Sequence, residues 1–134
     1  DACDGEYLEE LGGMNVVLVY DDGHVATPLS DSILPGITRD SVLDLCEQAG
    51  RRVERRRISI DEWREGAASG RIVEAIAIGT AAVISPIGEL RADDFTIANP
   101  PITEDSFSMR IRALLTGIQN GLEPDVNDWL VRLV

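Results

Sequence analysis

Lysine is absent from the sequence: all 12 basic residues are arginine, against 24 aspartates and glutamates. Any reaction in which an amine side chain attacks a carbonyl therefore cannot be carried out by these residues alone. The formal charge of −12 at pH 7 repels nucleic acid and anionic membrane surfaces, so neither is an expected partner. Small molecules and other proteins are the partner classes that this charge allows.

Cysteine, histidine and long apolar runs are also scarce. Cys3 and Cys46 are too few for a disulfide framework and belong to no cluster of metal ligands, so no metal site is predicted. The single histidine, His24, has no serine, cysteine or metal-ligand partner nearby in the sequence, and we expect it to be an ordinary strand residue. No apolar run approaches the roughly 20 residues of a transmembrane helix, and no signal segment opens the chain. These absences predict a cytoplasmic protein with no membrane partner.

The chain does contain enough apolar sequence for a core. Its 134 residues, 44% of them hydrophobic, have the size of one ordinary domain. Because the first residue is Asp1 rather than methionine, we expect a processed product or a piece of a longer protein. Helical and alternating periodicities succeed one another, which predicts an α/β or α+β fold.

Turn residues divide this pattern into elements. The expected elements are, in order, a strand over 14–20, its hairpin partner over 24–28, a helix that begins within 34–40 and has Gly50 as its C-cap, an edge strand over 51–59, a short helix capped by Asp61, two buried strands within 73–87 that meet at Gly79-Thr80, and a long helix capped by Thr103.

Small residues and free backbone donors coincide in three segments where the chain reverses: EELGGMN (9–15), LPGITRD (34–40) and IGTAA (78–82). At the predicted helix start, the N–H groups of Ile37 and Thr38 have no partner one turn back, and Gly36 leaves the approach clear. Such a start, with the Thr38 hydroxyl beside it, is suited to a phosphate group. Thr80 offers a hydroxyl and an N–H group in the same way.

Each of these segments also has an ordinary structural explanation, which spacing alone favours. LPGITRD is typical of any helix start, IGTAA of a hairpin turn, Glu10 of a solvated loop acid and Asn15 of a turn residue. The arginines within 51–57 are interleaved with Glu54 on the predicted edge strand. We therefore interpret them as charge that deters edge pairing rather than as an anion site.

Taken together and in order, the motifs resemble the C-terminal half of the class IV pyridoxal-phosphate aminotransferases, specifically the branched-chain amino acid aminotransferases. The segments that carry this resemblance are a carboxylate-Gly-Gly-Met-Asn strand entry, a hairpin ending in Thr-Pro, LPGITRD, an Asp-Glu-Trp helix, GTAAVISP and an LTGIQ helix. The resemblance covers nearly the whole chain. It implies that residues 1–134 form the large C-terminal, cofactor-binding domain of that fold, with pyridoxal 5′-phosphate as cofactor.

The resemblance also implies roles for individual residues. Glu10 matches the glutamate that contacts the pyridine nitrogen, where a negative charge keeps the ring protonated and able to accept electrons. The other residues implied to bind the cofactor are Leu34, Gly36, Ile37, Thr38, Gly79 and Thr80. The residues implied to bind the substrate are Gly13, Met14, Thr80 and Ala81.

The activity implied is exchange of the amino group between leucine, isoleucine or valine and 2-oxoglutarate. The family's Schiff-base lysine lies upstream of the segment resembled, so the chain alone is expected to be inactive. The partners implied are a missing N-terminal half, small-molecule substrates and further copies in a homo-oligomer. The alternatives are a D-amino acid aminotransferase or aminodeoxychorismate lyase of the same class, or a non-enzymatic module that binds a phosphate ligand or another protein.

Overall fold

The computed structural model of the protein describes residues 5–133. The elements within that range are β1 (Glu10–Leu11), β2 (Met14–Tyr20), β3 (Val25–Pro28), α1 (Ile37–Gln48), β4 (Val53–Arg56), α2 (Ile60–Ser69), β5 (Ile72–Gly79), β6 (Val83–Pro86), β7 (Glu89–Arg91), β8 (Thr96–Ala98) and α3 (Phe107–Gln119). One mixed sheet has the order β4-β3-β2-β5-β6, with β1 also paired to β2, and β7 and β8 form a second sheet.

Strand β2 is buried on both faces because its side chains alternate between two hydrophobic clusters. Val17 and Val19 pack in the cluster that contains α1 and α3. Val16, Leu18 and Tyr20 pack in the cluster that contains α2 and β8. Helices on both sides of a mixed sheet confirm the predicted combination of α and β structure.

Helix α1 carries the predicted apolar face, on which Val42, Leu45 and Cys46 are buried. Burial raises the pKa of the Cys46 thiol to about 12, so this buried thiol is protonated at neutral pH. Cys3 lies outside the described residues. The predicted C-cap is wrong by one residue: Ala49 is the C-cap, and Gly50 follows it with a φ of 81°.

The predicted cap of α2 is wrong. The helix begins at Ile60, so Asp61 lies inside its first turn. The Ser59 hydroxyl accepts a hydrogen bond from the Glu62 N–H group at 3.0 Å and is the actual cap.

The predicted cap of α3 is also wrong. Thr103 lies in the preceding turn, and its N–H group donates to the Ser106 hydroxyl at 2.9 Å. The N–H groups of Phe107 and Ser108 instead donate to the two carboxylate oxygens of Glu74, each at 2.9 Å. A buried side chain on β5 therefore caps a helix more than thirty residues away.

Strand β4 lies at the sheet edge as predicted, although it is shorter than expected. It pairs parallel with β3. Its Arg56 pairs with Glu54 at 2.9 Å and with Glu62 at 2.6 Å, consistent with a charged, solvated edge. His24 is not a strand residue as predicted; it directly precedes β3 and stacks on the ring of Tyr20. Its position follows from the tight turn, where Asp22 accepts from its backbone N–H group.

The two apolar strands predicted within 73–87 are β5 and β6, which pair antiparallel across a turn at 80–82. Helices α1 and α3 pack over the same face of this hairpin. Within residues 5–133, no helix combines the length and hydrophobicity needed to cross a membrane.

Candidate functional site

A small cavity opens where β1, the start of α1 and the end of β5 meet. Its volume is about 110 Å³. The lining residues are Glu10, Gly13, Asn15, Leu34, Pro35, Gly36, Ile37, Thr38, Ile78, Gly79 and Thr80. A larger cavity of about 510 Å³ lies elsewhere, between the Tyr7–Glu9 segment, the loop at 29–32 and Arg57. We place the candidate site at the smaller cavity because the three glycine-rich segments converge there.

Sheet register brings two of those segments together. Gly12 and Gly13 reverse the chain between β1 and β2 with φ values of 56° and 82°, a region that favours glycine. Asn15 on β2 is then paired with Glu10 on one side and with Ile78 on the other. Directly paired residues point to the same face of a sheet, so Glu10 and Asn15 lie side by side there.

The third segment contributes the N-terminus of α1. Gly36 is the N-cap, and no side chain among residues 5–133 caps it. The first intrahelical bond runs from the Asp40 N–H group to the Gly36 carbonyl at 3.0 Å, so the N–H groups of Ile37 and Thr38 precede the helical ladder. The Arg39 guanidinium pairs with the Asp40 carboxylate at 3.0 Å, which offsets the acidic charge in this first turn. The helix end is therefore a cluster of free donors with a partial positive charge.

The turn after β5 supplies further donors. Thr80 is exposed beside the cavity, and Gly79 precedes it at the end of the strand. A Cβ atom at position 79 would lie 3.3 Å from the Met14 Cγ atom, so glycine allows a close approach. Val83 closes the turn with a φ of 57°, an unfavourable conformation for a β-branched residue.

Glu10 is the one carboxylate that lines the cavity. It is half-buried, and within residues 5–133 it forms no ion pair or hydrogen bond through its side chain. A carboxylate in this position can accept a hydrogen bond from a protonated ring nitrogen.

The structure brings together most of the residues predicted for the site. Eight of them line one cavity: Glu10, Gly13, Leu34, Gly36, Ile37, Thr38, Gly79 and Thr80. Met14 packs behind it against Gly79, and Ala81 is exposed in the adjacent turn.

The sequence analysis did not assign three of the lining residues to the site: Asn15, Pro35 and Ile78. Asn15 is not a turn residue but a buried residue of β2, 8% exposed. A polar residue at the head of an otherwise apolar strand, MNVVLVY, was the signal that could have identified it.

Comparisons with known proteins give consistent matches to one family. The family model described as amino-transferase class IV matches residues 4–90. A branched-chain-amino-acid aminotransferase of Mycobacterium tuberculosis is 49% identical over 139 residues, covering 99% of this chain and 37% of that protein. One from Mycolicibacterium smegmatis is 47% identical, again over 99% of this chain and 37% of that protein. The chain thus spans little more than a third of the length of these relatives.

Solved structures match over a similar extent. The branched-chain amino acid aminotransferase from Escherichia coli superimposes with a TM-score of 0.76 and 28% identity, covering 96% of this chain and 40% of that one. The T.th. branched-chain amino acid aminotransferase with pyridoxamine 5′-phosphate has a TM-score of 0.76 and 26% identity, covering 96% of this chain and 39% of that one. These matches confirm the expected fold. On the evidence of the family match, the identities and the superpositions, the chain belongs to the class IV aminotransferase family.

Proposed function

We propose that this chain is the cofactor-binding, C-terminal domain of a pyridoxal-phosphate-dependent branched-chain aminotransferase. The reaction proposed transfers the amino group between leucine, isoleucine or valine and 2-oxoglutarate. The observation that carries the proposal is the convergence of Glu10, Thr38 and Thr80 at one cavity from three distant segments. The relatives that are branched-chain aminotransferases favour this activity over the other members of the class.

The donor set at the cavity fits pyridoxal 5′-phosphate. A phosphate dianion needs several donors and a positive local field, and both are available at the start of α1. The hydroxyl groups of Thr38 and Thr80 are additional donors from two elements. Glu10 supplies the acceptor that a protonated pyridine ring requires. Phosphate donors and ring acceptor thus line a single cavity.

The residues of this chain have distinct tasks in the proposed reaction. When bound, the cofactor supplies an electron sink for the carbanion formed at the substrate α-carbon. Glu10 holds the proton on the ring nitrogen, because its negative charge favours the protonated form. The α1 N-terminus, Thr38 and Thr80 anchor the phosphate and so fix the ring relative to Glu10.

Residues beside the proposed cofactor-binding cavity are proposed to bind the substrate. The N–H groups around Thr80 and Ala81 lie in the turn after β5 and can donate to a carboxylate group. Gly13 and Met14 lie at the β1–β2 turn and are proposed to line the side-chain pocket.

The amine that this chemistry requires must come from outside the 134 residues, since they contain no lysine. We therefore propose that the domain works with an N-terminal domain of the same enzyme, in a cytoplasmic homo-oligomer. The relatives support this view, since the chain covers only 37% of the Mycobacterium tuberculosis enzyme. Leu34 and Ile37, at the cavity rim, are 76% and 87% exposed and offer an apolar surface to such a domain.

The test is cofactor affinity in the full-length enzyme after replacement of the phosphate donors. Thr38→Ala and Thr80→Ala each remove a hydrogen bond to a charged group, worth about 1.5–3 kcal/mol. Each should weaken pyridoxal phosphate binding by about 10- to 150-fold, measured by absorbance titration of the apoenzyme. Thr96→Ala, at an exposed position on β8, is the matched control and should bind normally. Wild-type affinity in both site variants would place the phosphate elsewhere.

A further inference from the structure

Val83 ends the turn that carries the proposed substrate donors. It pairs with Gly79 across the hairpin of β5 and β6, so residues 80–82 form the loop between the two strands. In hairpin loops of this length, a residue in the left-handed region commonly leads into the second strand, and glycine is the usual residue there. Val83 has a φ of 57° at this junction, so a valine stands where glycine is expected.

The backbone conformation alone does not explain a valine at this position. Within residues 5–133, the non-glycine residues with positive φ are Val83 and Asp128. Aspartate tolerates the left-handed region, whereas a β-branched residue is strongly disfavoured in it. Such strain persists only where the surrounding structure holds it, and it tends to occur at functional sites. The reason for valine must therefore lie in the contacts of its side chain.

The Val83 side chain packs against the hydrophobic cluster that contains α1 and α3. Ile84, the next residue, is buried in the same cluster. Successive side chains of a regular strand point to opposite faces of the sheet, so a regular strand would not place both in one cluster. The left-handed backbone at position 83 breaks this alternation and gives the turn an apolar anchor.

The anchor lies on the side of the sheet that carries the candidate site. Ile78 belongs to the same cluster, pairs with Ile84 and lines the cavity. Helix α1, whose N-terminus lines the cavity, packs in this cluster as well. Thr80, the first residue of the loop, is itself a lining residue. The loop is therefore fixed to the sheet by a side chain on the cavity side.

We propose that Val83 is a positioning residue: its side chain, held by the cluster of α1 and α3, fixes the turn at 80–82 so that the Thr80 and Ala81 donors are directed at the substrate carboxylate. This inference rests on the proposed function, because that carboxylate is the group proposed to accept from the turn. Val83 itself contacts neither cofactor nor substrate in the proposed arrangement. Since the carboxylate does not react, its binding contributes equally to the ground state and the transition state, and weakening it raises KM with little change in kcat.

The experiment compares Val83→Ala and Val83→Gly in the full-length enzyme. Alanine keeps the unfavourable φ without the anchoring side chain, and glycine removes both. Each should raise KM for leucine by about tenfold or more, the effect of one hydrogen bond to a charged group, with kcat within about threefold. The inhibition constant of isocaproate, a carboxylate with the leucine side chain and no amino group, should rise by the same factor. Val83→Ile keeps a β-branched anchor and should have the wild-type KM.

Val73→Ala is the matched control, because Val73 is a partly buried valine of β5 that packs against the same cluster outside the turn. Its KM for leucine should be that of the wild type. The melting temperature is the second readout: Val83→Gly should be at least as stable as Val83→Ala, because only glycine relieves the positive φ.

A wild-type KM in Val83→Ala, or an equal rise of KM in Val73→Ala, would overturn the inference. It would also be overturned if Val83→Gly melted below Val83→Ala, or failed to fold where Val83→Ala folds.

Failure of this inference is distinguishable from failure of the proposed function. A wild-type KM in Val83→Ala, together with weakened cofactor binding in Thr38→Ala, would refute the positioning role and leave the proposed phosphate donors in place. Wild-type cofactor affinity in both Thr38→Ala and Thr80→Ala would refute the proposed cofactor-binding cavity itself.

Discussion

Glu74→Gln tests whether a buried carboxylate on β5 holds the start of α3. Glu74 is 7% exposed and accepts from the Phe107 and Ser108 N–H groups at 2.9 Å each. Helix α3 packs against α1, whose N-terminus forms the candidate site. The substitution therefore acts on the scaffold of the site without touching the cavity.

The expected magnitude follows from the two hydrogen bonds. A bond to a charged group is worth about 1.5–3 kcal/mol, so the carboxylate contributes about 3–6 kcal/mol. Glutamine keeps one neutral bond of about 0.5–1.5 kcal/mol and turns its NH₂ group towards the other N–H group. The net loss is then about 2.5–4.5 kcal/mol, with part of it arising from the charge lost at the positive helix end.

Amide hydrogen exchange measures this loss locally. Exchange of the α3 amides through local opening should become roughly 70- to 2,000-fold faster, the equivalent of about 2.5–4.5 kcal/mol. The increase should be concentrated in the first turns of α3 and leave β2 protected. Glu104→Gln, at an exposed position before the helix, should exchange at wild-type rates. Rates within about twofold of wild type in Glu74→Gln would refute the cap.

Two further predictions concern other carboxylates. Glu10→Gln in the full-length enzyme should lower kcat by about 10²-fold with a modest change in cofactor affinity. The charge that holds the ring proton is lost, whereas the phosphate donors at Thr38 and Thr80 are unchanged. Wild-type single-turnover rates would contradict the role assigned to Glu10. Hydrogen bonds from Arg56 hold the pKa of Glu62 below its usual 4.5, so the stability it contributes is present above about pH 4.5 and lost as the pH falls below that. In Glu62→Gln, the free energy of unfolding should therefore fall less, as the pH is lowered below about 4.5, than in the exposed control Glu65→Gln. Equal falls in the two variants would show that the Arg56–Glu62 ion pair contributes nothing to stability.

Local patterns in the sequence determined several elements. A continuous apolar, β-branched run specified β2, Asp21–Gly23 specified the turn after it, and helical spacing specified the buried face of α1. These features depend on near neighbours in the chain, which is why they could be read without the tertiary structure.

The site residues were predictable because they belong to short motifs, but their convergence was not. LPGITRD and IGTAA each have an ordinary local explanation. Only the pairing of β2 with both β1 and β5 places Glu10 and Thr80 at the same cavity as Thr38. Strand order and register are long-range properties that no single motif contains.

The tertiary structure alone decided the polar contacts between distant elements. Glu74 reads locally as one polar residue of an apolar strand, yet its carboxylate caps α3. The physical reason is that a buried polar group must find its partner among whatever groups the fold brings near, however far away they lie in the sequence. The sequence determined which residue types were available for the site, and packing decided which of them meet.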